Sequence, residues 1–378
     1  MRSAGTSLTA CGLLALSSAC SAPTPVTSQA DAGETGSAWK MVRHPDDDLF
    51  VAVWVNELGD IYTIAQSAPY SVFSSHDAGA TWGRAFVDDS RAAIISIVGV
   101  GPSGVYAAGC TGAFAEIADA HPFVVVSNDR GATFTPTYPS FDGALYAITA
   151  DSAGNLLAVG ASVAGGFFVR SVDGAATWTR ALVPGTSSLG GIWLAADGTI
   201  YACGTPSPSD SAADAGVDAA AVDGSASASP AGGVVVRSID GGASWSVVAT
   251  APARLFDISG TPDGERVVAV GGGYTEIELA GGSASWVTRS GDPALAANYK
   301  GDLGSVWVPD AVSDPYMAMG NAGYVLRSVS AGSNLLVTRS EDLPVTGWGI
   351  QSGAVAITGT APDDVWAVGS GIFHKTSR

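Results

Sequence analysis

"SIDGGASW", residues 238–245, decides the fold because it is not alone. "SHDAGATW" (75–82), "SNDRGATF" (127–134) and "SVDGAATW" (171–178) keep the serine, the aspartate two residues on and the terminal aromatic. "SVSAGSNL" (328–335) is a worn copy, with Ser330 in the place of the aspartate. A catalytic constellation is normally unique in a chain, whereas a structural device is copied, so recurrence at wide intervals reads as architecture.

The last position of each copy is a rung: Trp82, Phe134, Trp178, Trp245 and Leu335. Trp286 in "GGSASW" fills the wide gap before Leu335, and Trp39 in "GSAWKMV" leads the series, which makes seven. A second ladder runs through apolar segments such as "GDIYTIA", "GTIYACG" and "DVWAVG", with rungs Tyr62, Tyr106, Leu157, Tyr201, Val268, Met317 and Trp366, again seven. Ahead of each lies one more short apolar segment, for example "VAVWV", "GGIWLA" or "GSVWV". Each unit of about 45 residues therefore reads as four short strands. Such a unit cannot bury both faces by itself, so the units must close into a ring. The expected fold is all-β, a seven-bladed β-propeller over residues 37–378. Its last unit stops at "GIFHKTSR" after three strands while "SAWKMV" is orphaned at the other end, so residues 37–42 are expected to complete the seventh blade.

Composition agrees with short strands: 49 Gly, 10 Trp and only 14% charged residues, with no long helical periodicity beyond the N-terminus. With 35 acidic against 17 basic residues the formal charge is −18, which repels nucleic acid. Lys40, Lys300 and Lys375 form no polybasic run for an anionic membrane surface, so membrane contact is expected only through a lipid anchor.

That anchor is suggested by the first residues. Arg2, the apolar run "LTACGLLAL" and then "SSACSAP" have the layout of an export signal, residues 1–20. The end of the signal resembles the lipobox of bacterial lipoproteins, which makes Cys20 the lipidated residue and places the protein in the bacterial cell envelope, with ordinary cleavage and release as the alternative. Residues 21–36, "SAPTPVTSQADAGETG", read as a linker without core-forming residues. Cys110 and Cys203 fall in units that are not neighbours, so two buried free thiols are expected rather than a disulfide.

The sequence S-x-D-x-G-x-T-W resembles the Asp-box, or BNR repeat, of sialidases, photosystem II assembly factor propellers, sortilin-type receptors and some glucanases. The resemblance covers almost all of residues 37–378. In that family the box lies in the turn between the third and fourth strands of a blade, away from the ligand-binding face. This implies a structural role for Ser75, Asp77, Gly79 and Trp82, for Ser127, Asp129, Gly131 and Phe134, for Ser171, Asp173 and Trp178, and for Ser238, Asp240, Gly242 and Trp245. The residue chemistry suits a turn, since Asp and Ser accept hydrogen bonds from nearby backbone N–H groups and Gly supplies an unusual backbone conformation. The third copy has Gly174 and then Ala175, which predicts a turn shifted by one residue.

Sialidases, which the chain resembles, use an arginine triad, a tyrosine–glutamate pair and an acidic proton donor. Arg43 in "VRHP" (42–45) stands where that family has an arginine before its first inner strand, and Arg91 and Arg254 also precede inner strands. These three are the candidate ligand-binding residues, on the central face; no catalytic residue is assigned. Glu116, Asp119 and His121 in the loop 110–123, and the three aspartates of "HPDDDLF" (44–50), lack the spacing of a metal site and read as solvated loops, so neither metal nor cofactor is expected. The acidic, Ala/Ser-rich stretch 205–233 reads as a disordered loop insertion. Arg170, Arg237 and Arg327 precede the box serine in three units, and repetition again points to architecture. A monomeric envelope scaffold that binds a protein or a glycan on its central face is the function expected. A divergent sialidase-type hydrolase and an assembly factor like the photosystem II propellers are the alternatives.

Overall fold

The computed structural model describes residues 39–43, 49–66, 70–87, 92–112, 117–208, 232–280, 285–291, 302–319, 324–329, 335–336, 338–343 and 355–376. Cys20, the linker, Arg91, Glu116, residues 44–48 and 330–334, and the bulk of the stretch 205–233 lie outside them.

The chain forms seven sheets, one per unit, each with four antiparallel strands as its frame. Their first strands, the inner strands of the ring, are Phe50–Val55, Ala93–Val100, Ala144–Ala150, Thr186–Leu194, Leu255–Gly260, Leu303–Trp307 and Ala356–Ala361, and these define blades one to seven. Trp39–Arg43 pairs with Ile372–Thr376 as the outermost strand of blade seven, as the orphan segment predicted. One departure appears in blade five, whose fourth strand Trp286–Gly291 carries a fifth: Leu335–Leu336, from the blade-six segment, runs parallel to Ser290 and Gly291.

Seven main hydrophobic clusters form, each in the seam between two neighbouring blades. Both ladders end in these seams. The box aromatics Trp82, Phe134, Trp178, Trp245 and Trp286 each pack into the seam with the preceding blade, as does Trp39 in the closing strand. The second ladder meets them from the other side. A Cβ at Gly79 would lie 2.9 Å from the Trp366 ring, and one at Gly131 2.8 Å from Tyr62, so these two box backbones rest on the second-strand aromatic of the blade before, while Gly242 rests on Phe168 of the third strand. Nearer the axis, the Trp54 ring fills the space over Gly99, and Trp307 fills that over Gly359. Only a residue without a side chain permits these approaches.

The seam between blades one and two adds a polar clasp. Arg130 donates from Nε to Asp60 Oδ2 at 3.0 Å and from Nη2 to Oδ1 at 2.7 Å, while the Tyr62 hydroxyl donates to the Arg130 carbonyl at 2.9 Å. Burial pushes the Asp60 carboxyl up, but hydrogen bonds from Arg130, His76 and Asn56 outweigh this and hold it below its ordinary value.

Blade five, which has lost the box serine and aspartate, is joined to blade six by a buried ion lattice. Arg289 Nη1 lies 2.7 Å from Glu276 Oε1 and also donates to Glu278. Arg266 Nε lies 2.7 Å from Glu278 Oε1, and its Nη1 donates to the Ser313 carbonyl of blade six at 2.6 Å. Two arginines balance two glutamates, as burial of charge requires.

Candidate functional site

The repeated carboxylates of the box copies are consumed by their own turns. In the first, Ser75 Oγ donates to Asp77 Oδ1 (2.8 Å), and Oδ1 accepts the Thr81 N–H (2.8 Å) while Oδ2 accepts the Thr81 hydroxyl (2.5 Å). The Gly79 N–H closes the loop on Ser75 Oγ at 2.9 Å. Asp129 with Thr133, Asp173 with Thr177 and Asp240 with Ser244 repeat the pattern. The side-chain and backbone donors of the Thr or Ser hold Asp77, Asp129 and Asp240 down to about 2, and Asp173 is lowered for the same reason. Each turn joins the third and fourth strands of its blade, so the four carboxylates face different directions round one end of the ring.

The third turn is not shifted, contrary to the expectation from Gly174 and Ala175. Ala175 N donates to Ser171 Oγ at 3.0 Å, as Gly79, Gly131 and Gly242 do to their serines. Every box places two successive residues in the left-handed region, and here Ala175 takes φ +72° with Gly174 at +68°. Its Trp178 Nε1 is buried without a hydrogen bond, whereas Trp82 and Trp245 donate to the carbonyls of Gly79 and Gly242.

The opposite end of the ring is built differently. Six inner strands carry a bulge near their first residue, at Val51, Ile95, Tyr146, Ser187, Phe256 and Gly304, which re-aims the chain at that mouth of the channel; blade four adds a second at Gly190. Inner strands are sheet edges, with N–H groups that need partners. Side chains of the preceding blade supply several: Ser96 Oγ accepts Ile148 N at 3.1 Å, Ser259 Oγ accepts Val308 N at 3.2 Å, and Asp257 Oδ2 accepts Val306 N at 2.9 Å and the Ser305 hydroxyl at 2.8 Å. Asp257 is the one Asp, Glu, Lys or Arg on the seven inner strands. Burial raises its carboxyl above the ordinary value, opposed by the hydrogen bonds from Val306 and Ser305.

Round this mouth the described rim mixes aromatic, aliphatic and cationic side chains with the exposed carboxylates Asp119, Asp142 and Asp302. Arg254, exposed, holds its guanidinium 5.1 Å from the Phe256 ring at the bulge of blade five. Arg180 stacks 4.6 Å over Phe167 and donates to Ser162 Oγ at 2.7 Å. Tyr138, Val163 and Leu182 are exposed on the loops and strand ends of blades two and three. Tyr274, in the short loop after Gly272, has φ +58°, a left-handed conformation that a bulky side chain rarely takes, and the preceding Gly273 N–H is held by Asp302 Oδ1 at 3.0 Å.

Among the described residues, Arg43 and Arg254 are not brought together. Arg254 stands just before the inner strand Leu255–Gly260, at the mouth. Arg43 ends the outermost strand of blade seven, its guanidinium 4.5 Å from the Phe73 ring with Nε buried and unbonded, so it belongs to the outer half of a seam and not to the channel wall. Arg91 lies outside the described residues. Cys110 and Cys203 are buried free thiols, as expected, and burial pushes the Cys203 thiol well up, away from reactivity. Among the described residues no group of three or more His, Cys, Asp or Glu is placed to hold a metal ion. Tyr138, Val163, Leu182 and Asp257 escaped the sequence reading; a lone aspartate in the apolar run "LFDIS" was the one available signal.

No family model matches the chain, and no curated protein matches it either. Solved structures do. YCF48 from Cyanidioschyzon merolae aligns with a TM-score of 0.59 at 13% identity, over 90% of this chain and 98% of that one. YCF48 bound to D1 peptide gives 0.59 at 16%, over 90% and 97%. The GH74 xyloglucanase from Xanthomonas campestris gives 0.61 at 16%, over 88% of this chain and 52% of that one. At such identities the likeness establishes the seven-bladed propeller and leaves activity open.

Proposed function

We propose that this chain is a non-enzymatic binding propeller of the bacterial cell envelope, lipidated at Cys20, that holds a segment of another protein on the face opposite its Asp-boxes. The observation that carries the reading is the make-up of that face, where exposed Tyr138, Val163 and Leu182 accompany the ring-stacked Arg180 and Arg254. Rigid aromatic and arginine side chains beside aliphatic ones are the chemistry that anchors protein segments. The match to a propeller with a bound peptide supports the same use of the fold. The engagement of all four box aspartates in their own turns supports a structural and not an acid–base role for them.

The test pairs binding with turnover. Peptides tiled from envelope proteins are titrated against the full chain by fluorescence anisotropy, and Tyr138→Ala and Leu182→Asp are expected to weaken the best binder by about tenfold or more while the circular dichroism spectrum is unchanged. Hydrolysis of a fluorogenic sialoside, or of another glycoside in a panel, by the same sample would overturn the non-enzymatic reading.

A further inference from the structure

The two ends of the described chain meet on the box side of the ring. Third strands run toward their box turns, and in blade seven the third strand Ile372–Thr376 holds Trp39 opposite Lys375 and Arg43 opposite Ile372. The closing strand therefore starts on the box side, and residues 21–38 are all that separate its first residue from Cys20, at most about 60 Å of extended chain.

The same side carries exposed aliphatic side chains at its turn tips. Leu58 (64% exposed) and Val312 (90%) lie in the turns joining the first two strands of blades one and six. Val172 (68%) and Ile239 (73%) occupy the second position of the boxes in blades three and four, where their serine and aspartate neighbours make the turn and the side chain between them is left outside it. Isolated exposed aliphatics are ordinary; four at turn tips round one face, on the side where an anchored N-terminus enters, are a surface.

We infer that the box face is the lipid-contacting face of the protein: Leu58, Val172, Ile239 and Val312 rest on the surface of the membrane that holds the N-terminus. The inference rests on lipidation at Cys20. The anchor supplies affinity and the four tips supply orientation, which leaves the bulged mouth, with Tyr138 and Leu182, pointing away from the bilayer. The acidic residues Glu57, Asp77, Asp173 and Asp240 beside the tips favour a zwitterionic over an anionic lipid surface.

The full-length lipidated protein, reconstituted in phosphatidylcholine vesicles, carries an environment-sensitive fluorophore at Ile239→Cys, Leu58→Cys, Val163→Cys or Leu182→Cys; Cys110 and Cys203 are buried and stay unlabelled. Nitroxide lipids are expected to quench the labels at 239 and 58 several-fold more than those at 163 and 182, and added phosphatidylglycerol is expected to reduce that quenching. Equal quenching at the two faces, stronger quenching at 163, or burial of the 239 label by an added envelope protein instead of lipid overturns the inference. Flotation separates it from the anchoring reading, since a chain that does not float with vesicles fails on lipidation. An N-terminal hexahistidine segment on nickel-chelating vesicles then replaces the lipid, and the same quenching comparison decides the face.

Discussion

Blades four and five hold their outer strands by opposite means. In blade four an exposed aspartate, Asp240, is wrapped by the Ser238 hydroxyl and by the hydroxyl and backbone N–H of Ser244, inside eight residues of chain. In blade five four charged side chains from three separate places, Arg266, Glu276, Glu278 and Arg289, are taken out of water together. The first device is local, so it can be copied from blade to blade and survives an altered neighbour. The second depends on every partner being present, because a buried charge that loses its counter-ion keeps its desolvation cost. Repetition in the sequence and tolerance in the structure thus have one cause, the shortness of the turn.

The sharpest way to break this contrast is Arg289→Met, which leaves two buried glutamates facing one arginine. We expect a loss of about 3–5 kcal/mol in chemical denaturation, against near-neutrality when Arg266, Glu276 and Glu278 are all made apolar in the same chain. Next in size is Gly242→Ala. Its Cβ would sit 2.2 Å from the Phe168 ring in a left-handed backbone, and we expect about 3 kcal/mol of destabilisation. Acid gives a collective effect. The box aspartates fall from an ordinary 3.8 in the unfolded chain to about 2 in the fold, so ionisation favours the fold above about pH 4 and that contribution is lost as pH falls through about 2. The denaturation midpoint should drop over that window, and Asp77→Asn with Asp129→Asn should flatten the drop; an unchanged slope would show that the boxes do not titrate with folding. The smallest effect is expected at Ala175→Gly, below about 1 kcal/mol in a thermal melt, because relief of the left-handed alanine is opposed by loss of a buried methyl. Gly242 and Ala175 hold the same box position, so a mild Gly242→Ala would show that the ring beneath the turn does not decide the cost.

Periodicity made the ring legible, and its limits are physical. Trp54, Tyr62 and Trp82 recur because every seam needs the same filler, and the orphan "SAWKMV" betrayed the closing strand because three strands at the other end demanded a fourth. Misreading of the third box came from treating one residue as the carrier of the left-handed turn, when two successive residues share it. Blade five was opaque for another reason: "TEIELA" alternates charged and apolar residues like a strand wet on one face, and nothing local says that Arg266 and Arg289 will close over both glutamates. Of the candidate site, Arg254 was readable as a residue just before an inner strand. Tyr138 and Leu182 were not, since only the closure of the whole ring puts them on the same face as Arg254.

The pairing of Trp39–Arg43 with Ile372–Thr376 has a mechanical consequence. Any tension on the N-terminal segment enters the molecule at Trp39, and hydrogen bonds between its first-made and last-made strands resist it before any other contact does. Those few bonds are the fuse of the ring: a pull that parts them strips blade seven of its outermost strand before any load reaches Phe50–Val55 of blade one.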